Sequence, residues 1–147
     1  MYVDLERQNG LLVDAMKIEH IAVWTRDAKR LTAFYISFLD GRLSEEHKDP
    51  DTGFYSCFIE CSEGARLEIM QATNVEDRPD SLVERSVGFT HLAFRGNAAA
   101  EIDAIAERFV ENGYRMEKEP VTMDDGYYEC SVFDPDSNII EFTHKSN

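Results

Sequence analysis

The stretch Ile18-Glu19-His20-Ile21-Ala22-Val23 decides the fold, because it returns in the second half of the chain as Phe89-Thr90-His91-Leu92-Ala93-Phe94. Each version places a histidine inside an apolar, strand-like run, with alanine two positions later, and each precedes a turn and a segment of helical periodicity. A second pair, Leu67-Glu68-Ile69 and Ile140-Glu141-Phe142, follows at nearly the same distance in each half. The chain therefore contains an internal repeat in which a strand histidine precedes a strand glutamate.

Length and composition favour one globular domain. The chain has 147 residues, is 43% hydrophobic and has no apolar run of the roughly 18 residues that a membrane span requires. A net charge of −14 and scattered arginines argue against nucleic acid or an anionic membrane as a partner. The three cysteines, Cys57, Cys61 and Cys130, form no zinc-type pair and no complete disulfide set. Together with an N-terminus unlike a secretory signal, they predict reduced thiols in a cytoplasmic protein.

The repeat also predicts the domain organisation. Residues 1–15 precede the repeat and are interpreted as an N-terminal extension, and residues 16–147 as a single domain. The polar stretch between the halves contains a proline and four acidic residues, as a linker does. The predicted parts of the domain are module one (17–72), the linker (73–87) and module two (88–144).

Each half has the periodicity of one strand, one helix and three further strands. In the first half, a strand over 17–24 precedes Asp27 as helix N-cap, a helical apolar face that starts at Leu31, and Gly41 at the position of a left-handed helix end. In the second half, Asn97 is the predicted N-cap and the first strand after the helix starts at Tyr114. Both halves are therefore predicted as βαβββ modules, which makes the chain an α+β protein.

Strand alternation predicts where the repeated histidines and glutamates point. His20, Glu68, His91 and Glu141 each have apolar neighbours that face a helix, so all four project from sheet faces that no predicted helix covers. Taken singly, a strand histidine is more often structural and a strand glutamate more often solvent-facing. Their recurrence at matching places favours a shared metal site, in a cleft that would form if the halves joined edge to edge.

At these residues the chain resembles the vicinal oxygen chelate superfamily, the family of glyoxalases, bleomycin resistance proteins and dioxygenases, and within it the glyoxalase I branch. The motifs Phe34-Tyr35 and Phe133-Asp134-Pro135-Asp136 extend the resemblance over residues 17–144. The resemblance implies tandem βαβββ modules that form a curled mixed sheet around a metal-binding cleft, and a homodimer that acts on a small molecule. It implies a divalent ion held by His20, Glu68, His91 and Glu141.

Two imidazole nitrogens and two carboxylate oxygens suit a borderline divalent ion, with nickel or zinc favoured and cobalt, manganese or iron open. The glyoxalase-type reaction implied is proton abstraction next to a carbonyl of a small α-oxygenated substrate or its thiol adduct, as in lactoylglutathione lyase. Glu141 is the predicted base, and Glu68 is the second carboxylate, able to exchange roles with it. Extradiol dioxygenases use three ligands, without the acidic residue of the first half, and bleomycin-binding members lack the metal set.

Two positions differ from the glutathione-using bacterial glyoxalases. Trp24 stands where those enzymes generally carry arginine, and Ala72 stands where they carry asparagine, so the resemblance leaves the thiol open. Ser137 replaces a common glycine in the last turn, where Asn138 is expected to take the unusual backbone conformation. The alternatives are an epimerase, an iron extradiol-type dioxygenase, or a non-catalytic protein that sequesters a small molecule such as a drug.

Overall fold

The computed structural model describes residues 16–77 and 87–145, and the predicted βαβββ repeat is present in it. The predicted extension 1–15 and most of the predicted linker lie outside the described residues. Module one contains β1 (His20–Thr25), α1 (Ala28–Leu39), β2 (Arg42–Asp49), β3 (Phe54–Glu60) and β4 (Arg66–Gln71). Module two contains β5 (His91–Arg95), α2 (Ala99–Glu111), β6 (Met116–Thr122), β7 (Tyr127–Phe133) and β8 (Ile139–Lys145). The α+β class is thereby confirmed.

Each module forms its own four-stranded mixed sheet. The strand orders are β1-β4-β3-β2 and β5-β8-β7-β6, with β1 parallel to β4, β5 parallel to β8, and the remaining pairs antiparallel. Within residues 16–77 and 87–145, no strand of one sheet pairs with a strand of the other. The histidine-bearing strands β1 and β5 are therefore both edge strands.

Helix α1 begins as predicted and ends one residue earlier than predicted. The Asp27 side chain accepts a hydrogen bond from the Arg30 backbone N–H at 3.0 Å, which caps the helix. At the other end, Asp40 and not Gly41 adopts the left-handed conformation, with φ of 52°. Position 41 has no room for a side chain, because a Cβ there would lie only 2.6 Å from Ile59 Cγ2, and glycine is therefore needed.

Two predicted boundaries in module two were wrong. The N-cap of α2 is Ala98 rather than Asn97, because Glu101 in the first turn reaches back and accepts a hydrogen bond from the Asn97 backbone N–H at 2.8 Å. Strand β6 begins at Met116 rather than Tyr114. The Tyr114 ring packs in the core between the modules instead, 5.3 Å from the ring of Phe38.

The turn between β7 and β8 contributes a contact between the modules. Ser137 and not Asn138 takes the left-handed conformation, with φ of 65°. The buried carboxylate of Asp134 accepts the backbone N–H of Asp136 at 2.9 Å and that of Asn138 at 2.8 Å. It also accepts the hydroxyl of Tyr35, from α1, at 2.8 Å. A turn of module two is thereby tied to the helix of module one.

The two helices join the modules through an aromatic core. Phe38 of α1 stacks on Phe109 of α2 with ring centroids 4.2 Å apart, and Phe34 lies 5.8 Å from the same ring. Arg108 of α2 donates a hydrogen bond to the carbonyl oxygen of Ser37 at 2.8 Å. Because each helix covers one face of its own sheet, the opposite face of each sheet is left open, on the side away from the helices. None of the helices in the described part of the chain has the length and apolarity to span a membrane.

Candidate metal site

The structure brings the four predicted ligands together as two pairs, one on each open face. The parallel register of β1 and β4 places Ala22 opposite Glu68, and His20 Nε2 lies 3.6 Å from Glu68 Oε2. In module two the register of β5 and β8 has the same form, and His91 Nε2 lies 3.7 Å from Glu141 Oε2. The sequence repeat is therefore also a repeat of geometry.

The two pairs are equally accessible. The histidines lie on edge strands, and the exposed fraction of the side chain is 42% for His20 and 39% for His91. The glutamates lie one strand further into the sheet, and the exposed fraction is 16% for Glu68 and 14% for Glu141. Sheltered carboxylates are held in position by the sheet, and the exposed imidazoles leave room for an ion and for a ligand on it. Both pairs thus have the accessibility that a substrate site needs.

The spacing within each pair fits a divalent ion. When one ion binds two donor atoms at about 2.1 Å, the distance between the two donors depends on the angle at the ion. It is about 3.0 Å when they bind at right angles and about 4.2 Å when they bind on opposite sides. The observed separations of 3.6 and 3.7 Å fall inside this range and are too long for a direct hydrogen bond. Each pair can therefore provide two ligands to one metal ion.

The two pairs do not meet within one chain. Among the described residues there is no group of three or more histidine, cysteine, aspartate or glutamate side chains that could hold a metal ion. The physical reason is the helix contact, since Phe38 and Phe109 hold the modules together on the side opposite the open faces. A site with all four ligands must therefore take its second pair from outside the chain or from a different arrangement of the modules.

Around the first pair, Glu19 is a residue that the sequence analysis did not single out. Its carboxylate is hydrogen-bonded to Nδ1 of His20, which leaves Nε2 of the same ring directed at Glu68. The hydrogen bond to His20 is also the main cause of the lowered pKa of Glu19. Arg66 Nε donates to the same carboxylate at 2.8 Å. The Phe58 ring lies edge-on to the His20 ring at 5.6 Å. The position of Glu19 directly before His20 was the available signal.

The surroundings of the second pair are more polar. Ser131 on β7 stands opposite Glu141, where module one has Phe58 opposite Glu68. Lys118 Nζ donates to Glu129 Oε1 at 2.7 Å on the same face, and this hydrogen bond raises the pKa of Lys118. Sequence reasoning missed this ion pair, because its two strands pair with register shifts that alternation alone does not reveal.

The other two histidines and the buried cysteines lie elsewhere. The His47 ring packs on Phe54 at 5.9 Å, and Nδ1 of His144 lies 3.2 Å from the carbonyl oxygen of Gly96, on the face of β8 opposite Glu141. Cys57 and Cys130 are buried free thiols, and burial raises the pKa of Cys130 to about 12. A neutral, buried thiol is a poor metal ligand.

Comparison with known proteins agrees with this architecture. The sequence profile of the Glyoxalase/Bleomycin resistance protein/Dioxygenase superfamily matches residues 17–142. The fold is similar to glyoxalase I from Zea mays (TM-score 0.72, 18% identity), a match that covers 89% of this chain and 45% of that one, so the chain spans about half that protein's length. No individually curated protein sequence resembles the chain closely enough to count as a relative.

Two further structures of similar size share the fold. Lactoylglutathione lyase from Agrobacterium tumefaciens has a TM-score of 0.64 at 21% identity, over 89% of this chain and 95% of that one. The fosfomycin resistance protein FosX from Listeria monocytogenes has a TM-score of 0.66 at 19% identity, over 92% and 94%. The chain belongs to the Glyoxalase/Bleomycin resistance protein/Dioxygenase superfamily.

Proposed function

We propose that this protein is a divalent-metal-dependent enzyme of glyoxalase type, a lyase or isomerase that removes a proton next to a carbonyl in a small α-oxygenated substrate or its thiol adduct. The observation that carries the proposal is the repeated pair geometry, with His20 and Glu68 on one open face and His91 and Glu141 on the other. A single pair of this kind is easily fortuitous. Two pairs with the same register and nearly the same separation favour a common function as metal ligands.

In this proposal the four side chains hold nickel, zinc or a similar divalent ion. When bound, such an ion polarises vicinal oxygens and makes the adjacent C–H bond more acidic. Glu141 takes the proton, because the sheet shelters its carboxylate on the open face and Ser131 stands opposite it. Glu68 is the second carboxylate and is able to exchange roles with Glu141.

We further propose that the complete site is built across a homodimer, with module one of one copy facing module two of the other. Strands β1 and β5 each leave one edge unpaired in the described part of the chain, and an unpaired strand edge is a template for pairing with another chain. Large apolar side chains next to these edges are exposed, as expected of a surface that another chain covers. They are Met16, Ile18, Val87 and Phe89.

The first experiment is elemental analysis of full-length protein purified without added metal or chelator. We expect about one transition-metal ion per chain in the wild type and in the control His47→Ala, which alters a histidine on the same face as the first pair but outside it. His91→Ala should lose most of the metal. A wild-type protein that is free of metal and also refuses nickel, zinc, cobalt, manganese and iron would overturn the proposal.

The second experiment separates an enzyme from a sequestration protein. Glu141→Gln keeps the size of the side chain and removes the base, so turnover of hemithioacetal substrates should fall by at least about a hundredfold. Binding of the same compounds should change far less. Unchanged turnover in Glu141→Gln would remove this residue from the role of base, and an absence of turnover in the wild type with intact binding would favour sequestration.

A further inference from the structure

The two open faces differ in chemistry although they share a backbone plan. Next to the glutamate, module one presents Phe58 and module two presents Ser131. Two residues further along the same strands, module one has Trp24 beside Met70, and module two has Arg95 beside Thr143. The face of module one is therefore apolar where that of module two is polar, and a substrate held between them would meet two unlike walls.

The apolar wall has an aromatic corner. Trp24 contacts Phe54 edge-to-face, with ring centroids 6.1 Å apart, and Met70 lies next to Trp24 in the register of β1 and β4. Trp24 is nevertheless 52% exposed. An indole that is supported by apolar neighbours on one side and open on the other has the form of a platform for a ligand ring.

The platform is at a useful distance from the proposed metal ligands. Trp24 and Met70 each lie two residues beyond the Ala22–Glu68 pair, on the same face. With a rise of about 3.3 Å per residue, this is roughly 7 Å along the strands. A phenyl ring attached directly to a chelating group spans a similar distance, so the ring of such a ligand would reach the indole while its oxygens stayed near Glu68.

We propose that Trp24, Phe54 and Met70 form a binding subsite for an aromatic substituent, and hence that the substrate is an aromatic compound with two adjacent oxygens. This inference rests on the proposed function, because it takes the metal site as the place where the oxygens bind. The indole supplies a flat apolar surface, Phe54 packs edge-to-face against it, and Met70 stands beside it on β4. A substrate with a small aliphatic substituent would leave this surface uncovered and gain nothing from it.

The test uses two probes that present the same pair of oxygens with different substituents. Benzohydroxamate and acetohydroxamate are titrated by calorimetry into full-length protein loaded with nickel or zinc, after its metal content is measured. We expect the wild type to bind benzohydroxamate about tenfold more tightly, a typical gain from one aromatic contact. Trp24→Ala should abolish this preference and leave acetohydroxamate binding unchanged, and Trp24→Phe should restore most of it.

A matched control removes an exposed apolar side chain at another place. Val110→Ala, on the exposed side of α2, should keep the preference for benzohydroxamate. Thermal unfolding of each variant shows that it is folded. Equal affinity of the metal-loaded wild type for the two probes would overturn the aromatic subsite and leave the proposed function standing. An equal loss of affinity for both probes in Trp24→Ala would have the same consequence. Failure of both probes to bind the metal-loaded wild type would overturn the subsite and the proposed chelation together.

Discussion

A site that takes one ligand pair from each copy makes a specific prediction for mixtures of variants. His20→Ala breaks the pair of module one in every site of its homodimer, and His91→Ala breaks the pair of module two in every site of its own. Each variant alone should therefore bind little metal, since the three remaining ligands of each site hold a divalent ion much more weakly than four. The structure supports this arrangement because the two pairs lie on the open faces of separate sheets.

In a mixed dimer of the two variants, one site receives both substitutions and the other receives neither. Random exchange makes about half of the dimers mixed, and one of the two sites in each is intact, so the mixture should recover about a quarter of the wild-type metal capacity. The assay is elemental analysis of the exchanged mixture after dialysis, with turnover measured on the same sample. Different tags on the two chains show the fraction of mixed dimers.

The control mixture is His20→Ala with Glu68→Ala, two substitutions in the same pair. Every site in that mixture lacks one ligand of module one, however the chains combine, so its metal capacity should stay at the level of the separate variants. If tagged mixed dimers of His20→Ala and His91→Ala form and show no recovery, the site is not shared between chains. Recovery in both mixtures would show that the substitutions do not act on the pairs as argued.

Two predictions concern the framework that carries the site. Tyr35→Phe removes the hydroxyl that donates a hydrogen bond of 2.8 Å to the buried carboxylate of Asp134. The substitution should lower the free energy of unfolding in urea by about 1.5–3 kcal/mol. Tyr128→Phe, which removes an exposed hydroxyl, is its control and should cost less than about 0.5 kcal/mol; equal losses in the two variants would refute the reasoning. Ser137→Gly relieves a left-handed backbone conformation with φ of 65° and should raise the free energy of unfolding by about 0.5–1 kcal/mol. A lower melting temperature in Ser137→Gly would contradict that explanation.

The sequence by itself was sufficient for the repeat, for the βαβββ order of each module and for the family. These features are local, because strand alternation and helical periodicity follow from backbone geometry within a few residues. The same alternation placed His20 with Glu68, and His91 with Glu141, on the faces that the helices leave open. Their role as metal ligands stays a prediction, and so do the domain boundaries at the predicted extension and linker.

The tertiary structure decided how the two modules are joined. The contact of Phe38 with Phe109 is formed between residues far apart in the chain, and no periodicity shows which helix faces will meet. It also decided details that depend on the available space, such as the left-handed conformation of Asp40 next to a crowded Gly41. The separation of the two ligand pairs within one chain follows from that helix contact, because packing between distant residues depends on the fit of whole surfaces and not on any local pattern.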